Sequence, residues 1–139
     1  MQPRDLEDYV AYHVARLGTD ENAFFALIDR MDGILPILTR TFRSQRDPSR
    51  RACVLEVIWQ HRDPSTIPVL AEALLDASPQ VWKEALNGLV ALDRPECVSV
   101  LEAGRSRRFD SDTDGVYFRE LVDEALEQLR HGFFGEKGW

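Results

Sequence analysis

Residues 63–101 read DPSTIPVLAEALLDASPQVWKEALNGLVALDRPECVSVL and contain one complete helix-turn-helix unit followed by the start of the next. Two helical stretches are joined by a Ser-Pro turn, and an Arg-Pro turn then opens a third. Pro64, Pro79 and Pro95 each stand where a helix begins, at a position whose backbone N–H has no partner within the helix. The stretch therefore predicts paired helices.

The unit is an internal repeat, because the shift of the chain that places Pro48 on Pro79 also superposes apolar residues on apolar residues. We call this shift the repeat offset. The aligned pairs are Pro48 with Pro79, Leu55 with Leu86, Ile58 with Leu89, Pro64 with Pro95, Ile67 with Val98, Val69 with Val100 and Leu70 with Leu101. Upstream, Pro36 corresponds to Pro68 with one residue inserted. Downstream, residues 117–126 match residues 81–90 at a longer shift, which implies extra residues in the intervening loop.

The repeats resemble the bacterial HEAT-repeat proteins, a family that includes repeats first described in phycobilisome lyases. Residues 78–101 follow the apolar columns of its pattern, roughly Asp-Pro-x-Val-Arg-x-Ala-Ala-x-x-Ala-Leu-Gly-x-Leu-Gly-Asp-x-x-Ala-x-Pro-x-Leu. Trp82 departs from it where the pattern usually has Arg, and Val90 where it often has Gly. The resemblance implies an all-α HEAT-repeat solenoid of the ARM type, a fold that serves adaptors, inhibitors and a few enzymes.

The pattern predicts one domain of eight helices in four antiparallel pairs, without strands. Its parts are a capping helix pair (1–32), three HEAT-like repeats (33–130) and an aromatic C-terminal tail (131–139). The predicted helices cover residues 3–17, a stretch after the N-cap Asp20, and residues 34–43, 48–61, 65–76, 79–92, 95–106 and 115–130. No pair can bury its own apolar faces, so we expect a short right-handed curved stack whose inner wall is made by the second helices.

Composition narrows the functional classes. With 44% hydrophobic and 29% charged residues, the chain is typical of a folded helical protein. Its net charge of −7 disfavours nucleic acid as a partner and favours a protein with a basic surface. Cys53 and Cys97 lie in different repeats and form no CxxC pair, which indicates thiols in a reducing compartment. Without an apolar leader or a long apolar run, we expect a cytoplasmic protein with no membrane partner.

The second helices carry the predicted partner-binding residues, which are Glu56, Trp82, Lys83, Asn87, Phe118, Arg119 and Asp123. Lys83 aligns with Arg119 in one polar column, and the other three polar residues form a second column. Trp82 aligns with Phe118, and these rings either pack between repeats or serve as exposed aromatic anchors for a partner. The polar columns have their own alternative, an ordinary solvated helix face.

The loop 105–115 has the spacing D-x-D-x-D-G of a calcium-binding loop, supplied by Asp110, Asp112 and Asp114. The bidentate acid of such loops stands at position 12, whereas Glu120 comes one residue early. We therefore favour no metal and no cofactor here. In the alternative, Asp112 or Asp114 caps the last helix and the acids offset the neighbouring arginines.

No catalytic motif is present: the chain lacks a G-x-S-x-G, a phosphate-binding glycine loop and a Cys-His nucleophile pair. His13, His61 and His131 do not precede glutamates, unlike the His-Glu motifs that hold metal in HEAT-like di-iron hydroxylases. The aromatic tail, with Phe133, Phe134 and Trp139, is interpreted as a C-terminal cap or a docking peptide.

These patterns favour a non-catalytic protein-protein interaction module, a small acidic adaptor or inhibitor. Small acidic HEAT-repeat proteins of this kind resemble some that serve as toxin-immunity proteins. Two alternatives stay open, a bilin-lyase-like chromophore-handling enzyme and a calcium-modulated binding protein. A resemblance to HEAT-like DNA glycosylases is contradicted by the acidic charge.

Overall fold

The computed structural model describes residues 3–131, with side chains from residue 5 onward, and within this range the chain is helical without strands. The helices are α1 (Pro3–Val14), α2 (Glu21–Asp29), α3 (Ile34–Ser44), α4 (Pro48–Gln60), α5 (Ile67–Ala73), α6 (Pro79–Leu92), α7 (Pro95–Gly104) and α8 (Asp112–His131), and a 3-10 turn (Pro64–Thr66) precedes α5. The predicted all-α class is confirmed. The aromatic tail beyond His131 lies outside the described residues.

Local sequence signals set the beginnings of the helices. Pro48, Pro79 and Pro95 occupy the first turns of α4, α6 and α7, where no intrahelical N–H is needed. The carboxylate of Asp20 accepts a hydrogen bond of 3.0 Å from the backbone N–H of Asn22 at the start of α2. Asp20 is therefore the N-cap that the sequence predicts.

Three helix boundaries differ from the predictions. After Val14 the chain tightens into i→i−3 turns over residues 15–19, so α1 ends before residue 17. The unit predicted at 65–76 is split because Pro68 has no N–H to donate to the carbonyl one turn earlier, so a 3-10 turn comes first. Helix α8 begins about one turn before residue 115, with the Ser111 hydroxyl accepting from the Asp114 N–H at 3.4 Å.

The helices pack as consecutive pairs, α1 with α2, α3 with α4, α5 with α6, and α7 with α8. The second members of the pairs also contact one another in order, from α2 through α4 and α6 to α8, and α4 packs on α6 more extensively than any other two elements. Buried side chains from all four pairs form one core, including Leu27, Phe42, Leu55, Ile58, Leu70, Leu89, Leu101, Phe118 and Leu129. The α4–α6 contact is thus the centre of the described molecule.

Gly88 makes the close approach of α4 and α6 possible. A Cβ built at this position lies 2.8 Å from two ring atoms of Trp59 on α4 and 2.9 Å from a terminal methyl of Leu70 on α5. The Trp59 ring is held in turn, because its Nε1–H donates to the Glu84 carboxylate at 2.7 Å. A residue without a side chain is therefore required at this point of α6.

The joints that follow α4 and α6 share an uncommon backbone conformation. Arg62 and Asp93 are the non-glycine residues with positive φ in the described chain, at 57° and 55°. They are separated by the repeat offset found in the sequence, since Asp93 falls on Arg62 when Pro79 falls on Pro48. The repeat therefore extends from the side-chain pattern to the backbone geometry that ends α4 and α6.

Candidate partner-binding groove

A groove of about 750 Å³ runs between α6 and α8. Its floor is apolar and its rim is polar. The floor residues are Leu86, Val90, Ala91, Leu121, Ala125 and Leu129, and the rim residues are Lys83, Asn87, Asp93, Tyr117, Glu124 and Gln128. An apolar floor with a few polar groups around it is the usual composition of a binding site, since the floor supplies binding energy and the rim sets orientation.

One end of the groove carries a cation over an aromatic ring. The Lys83 Nζ lies 4.9 Å from the centroid of the Tyr117 ring and 6.0 Å from that of Trp82. Tyr117 is 43% exposed and meets Trp82 edge-on, with 6.0 Å between ring centroids. Because Lys83 forms no ion pair with a described residue, this end of the groove is positively charged.

The other charges of the rim are negative. Asp93 and Glu124 are both exposed and line the groove with Asn87 and Gln128. Glu84 on α6 does not line the groove; it is half-buried against Trp59, and burial raises its pKa while hydrogen bonds from Trp59 and Asn87 act in the opposite direction. Apart from Lys83, the charges on the rim of the groove therefore favour a cationic ligand.

The structure divides the predicted partner-binding residues among several places. Lys83 and Asn87 line the groove. Glu56 lies on α4, where burial and the neighbouring Glu84 raise its pKa. The carboxylate of Asp123 accepts hydrogen bonds of 2.7 and 3.0 Å from Arg105, and this contact lowers the pKa of Asp123. Arg119 packs beside the first turn of α8. A shared partner face made by these residues stays a prediction, and two of them, Lys83 and Asn87, line the groove.

Lys83 and Arg119 occupy equivalent columns of successive second helices, but they line different depressions, Lys83 the α6–α8 groove and Arg119 the surface beside the loop before α8. The side of α8 that meets α6 instead carries Tyr117, Leu121 and Glu124, none of which is among the predicted partner-binding residues. Their spacing of four and three residues, continued by Gln128, is a regular helix stripe that could have been found.

Trp82 and Phe118 pack between repeats, which is one of the two alternatives that the sequence left open, and their listing as partner-binding residues is corrected. Trp82 is 2% exposed and Phe118 is 0% exposed. Their ring centroids are 5.0 Å apart at 78°, an edge-to-face pair that joins α6 to α8. The ring of Phe109, from the loop before α8, lies 5.1 Å from Phe118 and covers it on another side. Burial leaves neither predicted anchor accessible to a partner.

The calcium spacing does not form a calcium loop. In residues 3–131 no group of three or more His, Cys, Asp or Glu side chains is arranged to hold a metal ion. Asp112 and Asp114 lie in the first turn of α8, where carboxylates offset the positive end of the helix dipole. Asp110 is exposed before the helix, and Glu120 lies further along it. The cap of α8 is Ser111 rather than either aspartate.

The described chain is thus an all-helical protein with an apolar groove between its sixth and eighth helices. No helix within residues 3–131 combines the length and the apolar character needed to cross a bilayer. No family model matches the sequence, and comparisons with curated proteins and with solved structures gave no match.

Proposed function

We propose that this protein is a short HEAT-type helical array that acts as a non-catalytic protein-binding module, with the α6–α8 groove as its docking site. The partner segment we infer is an amphipathic helix that places an apolar stripe on the groove floor and basic residues on its acidic rim. The observation that carries the proposal is the groove itself, about 750 Å³ with an apolar floor.

The dimensions suit a helix. The groove follows α8 from Tyr117 to Leu129, a distance of roughly 18 Å at the usual helical rise. A partner helix of three or four turns has an apolar stripe of that length. Two fixed helices provide the walls, so little backbone entropy is lost when the partner binds.

The repeat geometry supports the HEAT-type assignment. The second helices contact one another in chain order, and the joints at Arg62 and Asp93 recur at the repeat offset. Arrays of this kind present extended surfaces made by equivalent helices. We place the module in the cytoplasm, on the ground that Cys53 and Cys97 are free thiols.

The test is affinity purification of the tagged chain from its source cells, followed by calorimetry with the purified partner. The informative variant is Glu124→Lys, which reverses an exposed rim charge. Glu127→Lys is the matched control, because it makes the same change on the same helix at an exposed position outside the groove. We expect Glu124→Lys to weaken binding by about tenfold or more and Glu127→Lys to change it little.

Two results would contradict the proposal. The first is equal affinity for Glu124→Lys and the unsubstituted protein, which would exclude the groove as the docking site. The second is saturable binding of a small chromophore such as a bilin, with covalent transfer to an acceptor protein, which would replace a binding module by an enzyme. Circular dichroism of both variants establishes that any loss of affinity occurs in a folded protein.

A further inference from the structure

A second depression, of about 350 Å³, lies at the other side of α8, where the 105–111 loop enters the helix. Three arginines line it, Arg107, Arg108 and Arg119, together with the hydroxyls of Ser106 and Ser111 and the carboxylate of Asp112. The partner-binding groove shares none of these residues. The depression is therefore a separate feature of the surface.

These three arginines differ from most others in the described chain because none of them forms an ion pair with a described carboxylate. The arginines that do form ion pairs are Arg30, Arg40, Arg43, Arg51, Arg94, Arg105 and Arg130. At longer range Asp76 acts on Arg107, and Arg119 acts on Asp123. Arg16, Arg46, Arg50 and Arg62 also form no ion pair with a described carboxylate, but none of them lines this depression, which gathers three such arginines in a chain with 24 acidic residues against 17 lysines and arginines.

One of the guanidinium groups is held in position, and a second lies close to the helix backbone. Arg107 is half-buried, donates to the Leu74 carbonyl at 3.0 Å and stacks over Phe109 with 4.3 Å from its Cζ to the ring centroid. Only one of its five N–H groups is used by that hydrogen bond. Arg119 lies over the first turn of α8, where Gly115 leaves room: a Cβ built on Gly115 would be 3.2 Å from the Arg119 Nη1.

The charge around the depression identifies the ligand class. Three guanidinium groups and the Asp112 carboxylate leave two net positive charges among the lining residues. A phosphate monoester carries up to two negative charges near neutral pH, whereas a carboxylate carries one. Guanidinium groups bind phosphate oxygens through paired N–H donors, and serine hydroxyls add neutral donors.

We propose that this depression, lined by Arg107, Arg108 and Arg119, is a binding site for a phosphate dianion, either inorganic phosphate or a phosphorylated serine side chain. The site is independent of the partner-binding groove and does not require the function proposed for it. Phosphate bound there would bridge the loop 105–111 to the first turn of α8.

The experiment is calorimetric titration at constant ionic strength with three probes: inorganic phosphate, a short peptide containing phosphoserine, and the same peptide without the phosphate. We expect saturable binding of at least one phosphate-bearing probe and none of the unphosphorylated peptide. Inorganic phosphate binding as tightly as the phosphopeptide identifies the free ion as ligand, and tighter binding of the phosphopeptide identifies the modified side chain. Absence of binding by both phosphate-bearing probes at millimolar concentration overturns the proposal.

Variants localise the site. The double substitution Arg108→Gln/Arg119→Gln should weaken phosphate binding about 100-fold, roughly tenfold for each charge-assisted contact. Arg46→Gln removes an exposed arginine elsewhere and should leave binding unchanged. Asp112→Asn removes the carboxylate and should strengthen binding. Unchanged affinity in the double variant, or weaker binding in Asp112→Asn, refutes the site, and thermal melts verify that each variant is folded.

Discussion

Replacing Gly88 by alanine tests the packing at the centre of the molecule. The added methyl group would lie 2.8 Å from ring carbons of Trp59 and 2.9 Å from a methyl of Leu70. Trp59 cannot turn aside freely because its Nε1–H donates to Glu84 at 2.7 Å and the Arg62 guanidinium lies 5.2 Å from its ring centroid. The methyl group must therefore separate α4 from α6.

Two opposing effects set the magnitude. Alanine is favoured over glycine inside a helix by about 1 kcal/mol, whereas overpacking a closed core typically costs about 1–3 kcal/mol. Because the fixed Trp59 ring lies closer to the added methyl group than van der Waals contact allows, we expect the overpacking cost to fall in the upper part of its range. After the helix preference of alanine is subtracted, the net loss in the free energy of unfolding is about 1–2 kcal/mol. For a chain of this size that corresponds to a melting temperature lower by roughly 3–7 °C.

Gly104→Ala is the matched control, at the end of α7. Its Cβ would lie 2.6 Å from a terminal methyl of Leu74, but the next atom of that side chain is 3.6 Å away. The end of the Leu74 side chain can rotate away, so the overpacking cost should be near the low end, about 1 kcal/mol, and the helix preference of alanine offsets it to a net change within about 0.5 kcal/mol. Urea denaturation of both variants measures the difference. If Gly88→Ala were as stable as the unsubstituted protein, the close α4–α6 contact would be refuted.

Three further predictions concern stability. Burial raises the pKa of Glu84, so protonated Glu84 contributes to the free energy of unfolding. This contribution is fully present below the ordinary pKa of 4.5 and is lost as pH rises through the pKa of the folded state. Glu84→Gln removes the charge and keeps an oxygen acceptor for Trp59, so it should be more stable than the unsubstituted protein at neutral pH. Thermal melts in which the advantage of the variant is no larger at neutral pH than at pH 4 would contradict this. Trp82→Ala should lose about 3–5 kcal/mol in urea denaturation, because the ring is 2% exposed between α6 and α8. A loss below about 1 kcal/mol would be typical of a surface residue and would contradict the burial of Trp82. Asp20→Ala should lose about 1 kcal/mol with the N-cap hydrogen bond to Asn22, and amide exchange at the start of α2 should rise in step.

Much of the fold could be predicted from the sequence because its signals are local. Pro79 and the apolar spacing of α6 define that helix at both ends, as predicted. The predicted start of α8 is too late because Asp112 and Asp114 resemble loop residues, although the same carboxylates are favourable in the first turn of a helix. A run of aspartates indicates that a loop is tolerated, but it does not show where the loop ends. The loop ends at Ser111, whose hydroxyl caps α8.

The candidate groove was harder to predict because it depends on how two helices face each other. The sequence pattern correctly indicates Lys83 and Asn87 as accessible residues of α6, and the structure brings them to the groove. Arg119 and Asp123 follow the same repeat columns but occupy the opposite side of α8, and Asp123 binds Arg105 there. Column equivalence along the sequence determines the direction of a side chain relative to its own helix, whereas a groove joins unlike columns of two helices.

The left-handed joints at Arg62 and Asp93 have a consequence for how a chain of this kind changes length. Each joint places a residue of nearly the same left-handed φ at the same position of the repeat unit. A duplicated segment spanning residues 63–93, inserted after Asp93, would begin and end on identical geometry and so continue the stack without redesign of its neighbours. Such a joint permits the array to lengthen by tandem duplication of whole repeat units rather than by gradual lengthening of loops.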